Sequence, residues 1–250
     1  KIPSGPITVE EIVMNLTVTP EQATVIRNYQ QGTEEWLNAR KNRITASNFG
    51  AAIGQNKYKS PNGLLRDLLW NTFKGNAATR WGSEHEDIAR DAYVLHVQRE
   101  IALGVSPYTN IWVEETGLFI NADRPWMGCS PDGIVHATLR DGSEVKFLLE
   151  IKCPYGKKFY GPTGSDSTVP KYYNCQIQGL MGNMTLPYCD FVVWTPDGMQ
   201  ITRVDFDEAF WSNTLLPKLH HFFFDIYLPA LAARNRGDLK PQETQVVMEL

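Results

Sequence analysis

The stretch Phe147-Leu148-Leu149-Glu150-Ile151-Lys152-Cys153-Pro154 constrains this chain more than any other. It has the alternation of a short strand. Phe147, Leu149, Ile151 and Cys153 fall on one face, which is wholly apolar, while Leu148, Glu150 and Lys152 fall on the other. A carboxylate and an ammonium therefore sit side by side on a strand whose back is buried. Such a pair is costly to bury without further partners. Taken alone, a partly buried ion pair accounts for it. The segments upstream give it a second meaning.

From Ile111 onward the hydrophobic period switches from helix to strand. Thr116–Asn121, Trp126–Cys129, Gly133–Leu139 and Val145–Cys153 predict an antiparallel meander, with Asp141-Gly142 as its hairpin turn. Pro131 and Gly133 fix a bend that sets Asp132 at the start of a strand, although turn chemistry alone also places Asp there. Ahead of the strands, residues 80–98 predict a helix. Ile88, Ala89, Ala92, Tyr93 and Val97 form its apolar arc, and Glu84, Asp87 and Asp91 lie opposite. Glu86 falls inside the arc, where a carboxylate wants a cation, a metal or a hydrogen-bond donor. His85 also faces inward, as an ordinary core histidine does. The hairpin brings Asp132 beside Glu150, so Glu86, Asp132, Glu150 and Lys152 are expected to converge. Three carboxylates and nearby carbonyls make a hard oxygen site for Mg²⁺ or Mn²⁺. A divalent ion there supplies what phosphodiester hydrolysis needs: activated water and neutralised phosphoryl charge.

Around this centre the chain predicts a helix over 21–29, a helix capped by Thr33 carrying Trp36, Leu37 and Arg40, and a short helix over 47–53 capped by Thr45 or Ser47. Hydroxyls at a helix start beside Arg40 and Arg43 suit an anion, and equally an ordinary cap. Residues 62–74 and 172–184 predict amphipathic helices, the second bearing Tyr173, Gln176 and Leu180 on one face. Residues 189–195 and 200–206 predict a hairpin. A long aromatic helix over 207–236 is expected to bend at Pro217 or Pro229. His220 and His221 have no neighbours in sequence that would make them ligands. The segment 155–171 is rich in Gly, Lys and aromatic residues (Tyr155, Lys157, Lys158, Phe159, Tyr160, Lys171) and suits a phosphate backbone or a plain surface loop.

With 250 residues, 42% of them hydrophobic, the chain suits one domain with embellishments. We divide it into an N-terminal extension (1–28), a core domain (29–236) and a tail (237–250). No apolar run is long enough to span a membrane. The net charge of −4 argues against a simple basic nucleic-acid binder. Carboxylates that hold divalent cations, however, are neutralised in the working state. Cys129, Cys153, Cys175 and Cys189 show no metal spacing; they predict buried free thiols and an intracellular, reducing setting.

Pro131-Asp132 followed by Glu150-Ile151-Lys152 resembles the PD-(D/E)XK nuclease signature. Gly32-Thr33-Glu34-Glu35-Trp36, Arg40, Ile44-Thr45-Ala46-Ser47, Gly82 with Glu86, Ser130-Pro131-Asp132-Gly133, Glu150 to Pro154, and Tyr173, Gln176 and Gln178 follow in order. Together, over residues 30–195, they resemble the lambda-exonuclease-like (YqaJ viral recombinase) family. The resemblance implies a mixed α/β (α+β) fold with a restriction-endonuclease-like core, its mixed central sheet flanked by helices. It implies a Mg²⁺- or Mn²⁺-dependent 5′→3′ exonuclease acting on double-stranded DNA ends, with two ions. Asp132, Glu150, Glu86 and the Ile151 carbonyl would hold metal, Lys152 would serve the attacking water, and Gln176 would position the site. Arg40 and Ser47 would bind the terminal 5′ phosphate, with Thr45, Arg43 and Lys171 supporting the DNA. A single-strand annealing protein and a homotrimeric ring are further implications. A PD-(D/E)XK endonuclease and a DNA-binding module without catalysis are the alternatives. The extra N-terminal residues and an expanded loop around Gly161, Gly164 and Asp166 depart from the compact family form.

Overall fold

The computed structural model describes residues 5–71, 74–156 and 169–244. The chain opens with helix α1 (Val9–Leu16), which the sequence reading passes over. Its start carries a reciprocal cap: the Glu11 amide donates to the Thr8 hydroxyl and the Ile7 amide donates to the Glu11 carboxylate. Ile12 and Leu16 then enter the main core. The second helix, α2 (Pro20–Arg27), has a Thr19/Gln22 capping box, and α3 (Glu34–Arg40) starts on Thr33, both close to expectation.

Strand β1 (Ile44–Thr45) follows, then a 3₁₀ turn (Ala46–Asn48) and α4 (Phe49–Ala52). Ser60 caps α5 (Pro61–Trp70) and Asn76 caps α6 (Ala77–Ala102). Phe73, placed by sequence in the α5 stripe, lies outside the described residues. On α6, Ala89, Tyr93 and Val97 are buried as expected, but Ile88 is 51% exposed, beyond the edge of the arc.

The sheet departs from the predicted meander. Strands β2 (Tyr108–Glu114), β3 (Met127–Gly128), β4 (Gly133–Leu139) and β5 (Glu144–Lys152) follow α6. Only β2, β4 and β5 form the antiparallel run. Residues 116–121 make a single antiparallel bridge, Phe119 to Cys129, and β3 pairs in parallel with β1 instead of joining the main sheet. After α7 (Lys171–Met184) come β6 (Tyr188–Thr195) and β7 (Gly198–Asp205), giving the order β2-β4-β5-β6-β7. The β5–β6 pair is parallel, with α7 as its crossover, so the sheet is mixed.

Both faces of the sheet are covered. On one, α6 packs Ala89, Tyr93 and Val97 against Phe147, Leu149 and Ile151. On the other, Leu148, Cys189 and Phe191 meet α7 and the C-terminal helix α8 (208–236). Strand β5 is therefore central and buried from both sides. Two π turns, Trp211–Leu215 and His221–Tyr227, interrupt α8 just ahead of Pro217 and Pro229, where each proline lacks the amide that continues an α ladder. His220 packs on Phe224, while His221 pairs with Asp225 at 2.7 Å. All four cysteines are free, three of them fully buried. No helix among the described residues is long and apolar enough to cross a membrane.

Candidate active site

The end of β5 and the start of β4 form an acidic knot. The Asp132 amide donates to Glu150 Oε1 at 3.1 Å, and the Ile151 amide donates to Asp132 Oδ2 at 2.7 Å. Each carboxylate thus fixes the backbone that carries the other. Lys152 extends from the same face as Glu150. Its Nζ donates to Gln176 Oε1 on α7 at 3.1 Å and stands 3.7 Å from Glu150 Oε2. Glu86, from α6, lines the same cleft as Asp132, Ile151 and Lys152, a cavity of about 590 Å³.

Glu86 is engaged elsewhere in this state. Arg90 donates to it at 2.8 Å and also to Asp87, Glu115 and the Asp132 carbonyl. Arg90 thereby ties α6 to the strand carrying Asp132. Sequence reasoning missed it, although its place one helical turn after Glu86 is an (i, i+4) pairing signal. Two further supports were also missed as such. The Trp36 indole donates to Ser130 Oγ at 3.1 Å, and Gln31 donates to the Thr116 and Pro131 carbonyls. The bend before Asp132 is held from three sides.

The electrostatics suit a bound cation. Burial and the neighbouring Asp132 charge push the Glu150 carboxyl well above its usual range, and burial with Asp132 lifts Glu86 to about 7. Burial works against the Lys152 ammonium, yet Glu150 and Asp132 outweigh it and hold its pKa above the ordinary value. Glu150 is 1% exposed and its Oε2 has no hydrogen-bond donor. A buried carboxylate oxygen left in this way is costly, and a divalent cation would satisfy it. The donor set of Asp132, Glu150 and Glu86 fits such an ion. Among the described residues no three His, Cys, Asp or Glu side chains stand as a finished metal cage.

The expected phosphate-binding residues separate into different roles. Arg40 stacks over Trp36 at 4.1 Å and reaches Thr45 Oγ1 at 3.4 Å. No carboxylate pairs with it among the described residues, and burial holds its pKa below the usual value. Ser47 is exposed on the 3₁₀ turn beyond Thr45, and Lys171 is exposed at the first turn of α7. Arg43 departs from expectation. It is 7% exposed and donates to the carbonyls of Ala39, Leu16 and Pro125, so its guanidinium is committed to the backbone and does not face the cleft as a free cation. Burial lowers its pKa to about 10. Lys157, Lys158, Phe159, Tyr160 and the glycines of the proposed loop expansion lie outside the described residues.

A mixed five-stranded sheet flanked by helices, with Asp132 and Glu150-x-Lys152 at one edge of its central strands, defines the restriction-endonuclease-like class. The YqaJ-like viral recombinase domain pattern matches residues 35–185, more than half of the chain, and the chain belongs to that family. An Acanthamoeba polyphaga mimivirus protein is 27% identical over 173 residues, 67% of this chain and 29% of its own length. An African swine fever virus protein is 30% identical over 170 residues, 60% of this chain and 45% of its own length. The chain thus spans less than half of these curated relatives. Among solved structures, an alkaline exonuclease from Laribacter hongkongensis superposes with TM-score 0.59 at 24% identity, covering 82% of this chain and 97% of that one. The same exonuclease in complex with dAMP superposes with TM-score 0.59 at 25% identity, over 83% and 100% of the two chains.

Proposed function

We propose that this chain is a divalent-metal-dependent deoxyribonuclease that degrades double-stranded DNA from an end, in the 5′→3′ direction, during viral recombination or DNA processing. The observation that carries this reading is the buried, donorless Glu150 Oε2 beside Asp132 and Lys152. Asp132, Glu150, the Ile151 carbonyl and Glu86 would hold Mg²⁺ or Mn²⁺, as two ions. When bound, the metal supplies charge neutralisation at the phosphoryl group and activation of water. Lys152, fixed by Gln176, orients the attacking water and offsets charge on the scissile phosphate.

Arg40 is assigned to the terminal phosphate. It is partly buried, stacked and without a carboxylate partner among the described residues, and Trp36 links its platform to Ser130, two residues from Asp132. Ser47, Thr45 and Lys171 complete the phosphate-binding side. The partners proposed are duplex DNA ends, an annealing protein that receives the surviving 3′ strand, and two further copies in a ring. The four free thiols support a reducing, intracellular setting.

The test uses linear duplex with and without a 5′ phosphate, and closed circular duplex, in Mg²⁺ or EDTA. Linear DNA is expected to be degraded only with Mg²⁺, from 5′ ends, and faster when phosphorylated. Cutting of closed circles would favour an endonuclease. Asp132→Asn should lower the rate by at least about a hundredfold, the scale of losing one site of charge stabilisation. Arg40→Ala should erase the preference for phosphorylated ends, and a preserved preference would remove Arg40 from that role.

A further inference from the structure

Tyr172 and Tyr173 line the same cleft as Glu86 and Lys152, and the rings continue outward. Lys152 Nζ stands 4.8 Å above the Tyr173 ring. Tyr173 and Tyr172 follow at a centroid distance of 4.4 Å, and Tyr172 meets Tyr58 edge-on at 5.8 Å. Lys57 Nζ then lies 5.0 Å over Tyr58. An unbroken line of rings runs from the catalytic ammonium to the surface, with a cation at each end.

Core packing explains only the inner end of this line: Tyr173 also meets the buried Phe191 ring at 5.7 Å, whereas Tyr58 is exposed. Tyr173 and Tyr172 stand on the first turn of α7, while Tyr58 comes from the loop between α4 and α5. The two elements meet because Gly50 lets α4 approach α7: a Cβ there would stand 2.9 Å from Tyr172 Cα. Tyr58 is 71% exposed: its ring meets Tyr172 edge-on, has Lys57 over it and leaves the rest to water. Lys171, also exposed, adjoins Tyr172.

Aromatic rings in series, tilted by 56° and 80° from one to the next and flanked by cations, suit a single nucleic-acid strand. Each base presents a π-face that stacks on tyrosine regardless of sequence, and lysines follow the backbone. A peptide gains no such regular benefit from three phenols. We propose that Tyr173, Tyr172 and Tyr58 form a stacking track that holds unpaired nucleotides of the cut DNA strand between the catalytic cleft and the surface. The proposal rests on the reading of the cleft as a phosphodiester site.

The experiment measures equilibrium binding in EDTA, where no cleavage is expected, by fluorescence anisotropy. Two probes are compared: a blunt duplex and the same duplex with a short single-stranded 5′ tail carrying 2-aminopurine. Tyr58→Ala should weaken binding of the tailed probe by about fivefold or more and restore its 2-aminopurine fluorescence, with a smaller effect on the blunt probe. Tyr58→Phe and Tyr58→Trp should bind as the parent does. Because Tyr58 is exposed, a thermal melt should show the variants folded. Equal binding of the tailed probe by parent and Tyr58→Ala overturns the track. Loss of binding in Tyr58→Phe also overturns it, since that would indicate a hydroxyl hydrogen bond instead of stacking. Cleavage by the parent in Mg²⁺ is scored separately. Cleavage without a Tyr58 effect removes the track and leaves the nuclease, whereas a Tyr58 effect without cleavage removes the nuclease and leaves the track.

Discussion

Glu86 shows how a single carboxylate couples the cleft to pH. Its folded-state pKa is raised from about 4.5 to about 7, by burial first and the Asp132 charge second. Between those values the folded chain holds a proton that the unfolded chain has released. The stability that Glu86 contributes is therefore present below the ordinary carboxylate pKa and lost as pH rises toward about 7. In metal-free buffer, the melting temperature of the parent should fall relative to Glu86→Gln as pH climbs through this window; parallel curves would refute the assignment. Divalent cation should narrow the gap, because it takes over the role of the proton. Arg43 makes a contrasting case. In sequence it stood with Arg40 as a phosphate binder, because both precede the same Thr45. Position along the chain cannot say which guanidinium is spent on backbone. Arg43→Ala should cost about 2–4 kcal/mol in urea unfolding, since it strands buried carbonyls that it now satisfies. It should leave the phosphate preference intact. Asp132, Glu150 and Lys152 were legible because a period-2 pattern and one bend suffice to place them. Arg90 was legible only in its (i, i+4) pairing with Glu86, because its bonds to Glu115 and the Asp132 carbonyl join segments that no local pattern links.

Among elements, α7 carries the most consequence, since it presents Gln176 to Lys152 and Tyr173 to the cleft. Its seat against α4 depends on Gly179. A Cβ at that position would stand 2.2 Å from the Phe49 ring, inside any tolerable contact. Gly179→Ala must push the two helices apart, and overpacking of this kind costs about 1–3 kcal/mol. The midpoint of urea unfolding should fall accordingly, and the cleavage rate should fall with it as Gln176 moves away from Lys152. Shaving the opposing ring with Phe49→Leu in the same chain should recover part of both losses; additive damage would argue against this contact. The helix itself was legible from its periodicity, as were the β4–β5 hairpin from Asp141-Gly142 and the β6–β7 hairpin from the paired runs 189–195 and 200–206. The β1–β3 ladder was not. Two-residue strands have no period to detect, and their pairing joins segments more than eighty residues apart through bonds such as Ile44 to the Trp126 carbonyl at 2.9 Å.

For the molecule as a whole, residues 5–28 behave as part of the fold. Sequence set them aside as an extension because α1 is short and its cap, Thr8 with Glu11, is easily passed over. Yet Ile12 and Leu16 are 1% and 5% exposed within the same core as Leu148 of β5 and Leu231 of α8. The Leu16 carbonyl also accepts from Arg43, and the Arg27 and Ile26 carbonyls accept from the amides of Gly117 and Leu118. The residues just beyond, Tyr29 to Gln31, line a cavity of about 440 Å³ on the outer side of Glu86 and Asp132, where Gln31 braces the bend. Removing residues 1–28 therefore strips two buried aliphatic side chains, each worth about 1.5–3 kcal/mol, along with backbone bonds next to the site. The truncated chain should unfold at least about 3 kcal/mol more easily in urea, a large share of the stability of a domain this size. A milder probe separates packing from chain length. Ile12→Ala alone should cost about 2–5 kcal/mol while leaving the Mg²⁺ dependence of cleavage unchanged at low temperature. If the truncated chain instead melts where the parent does, α1 contributes nothing to the core and the segment is an appendage after all.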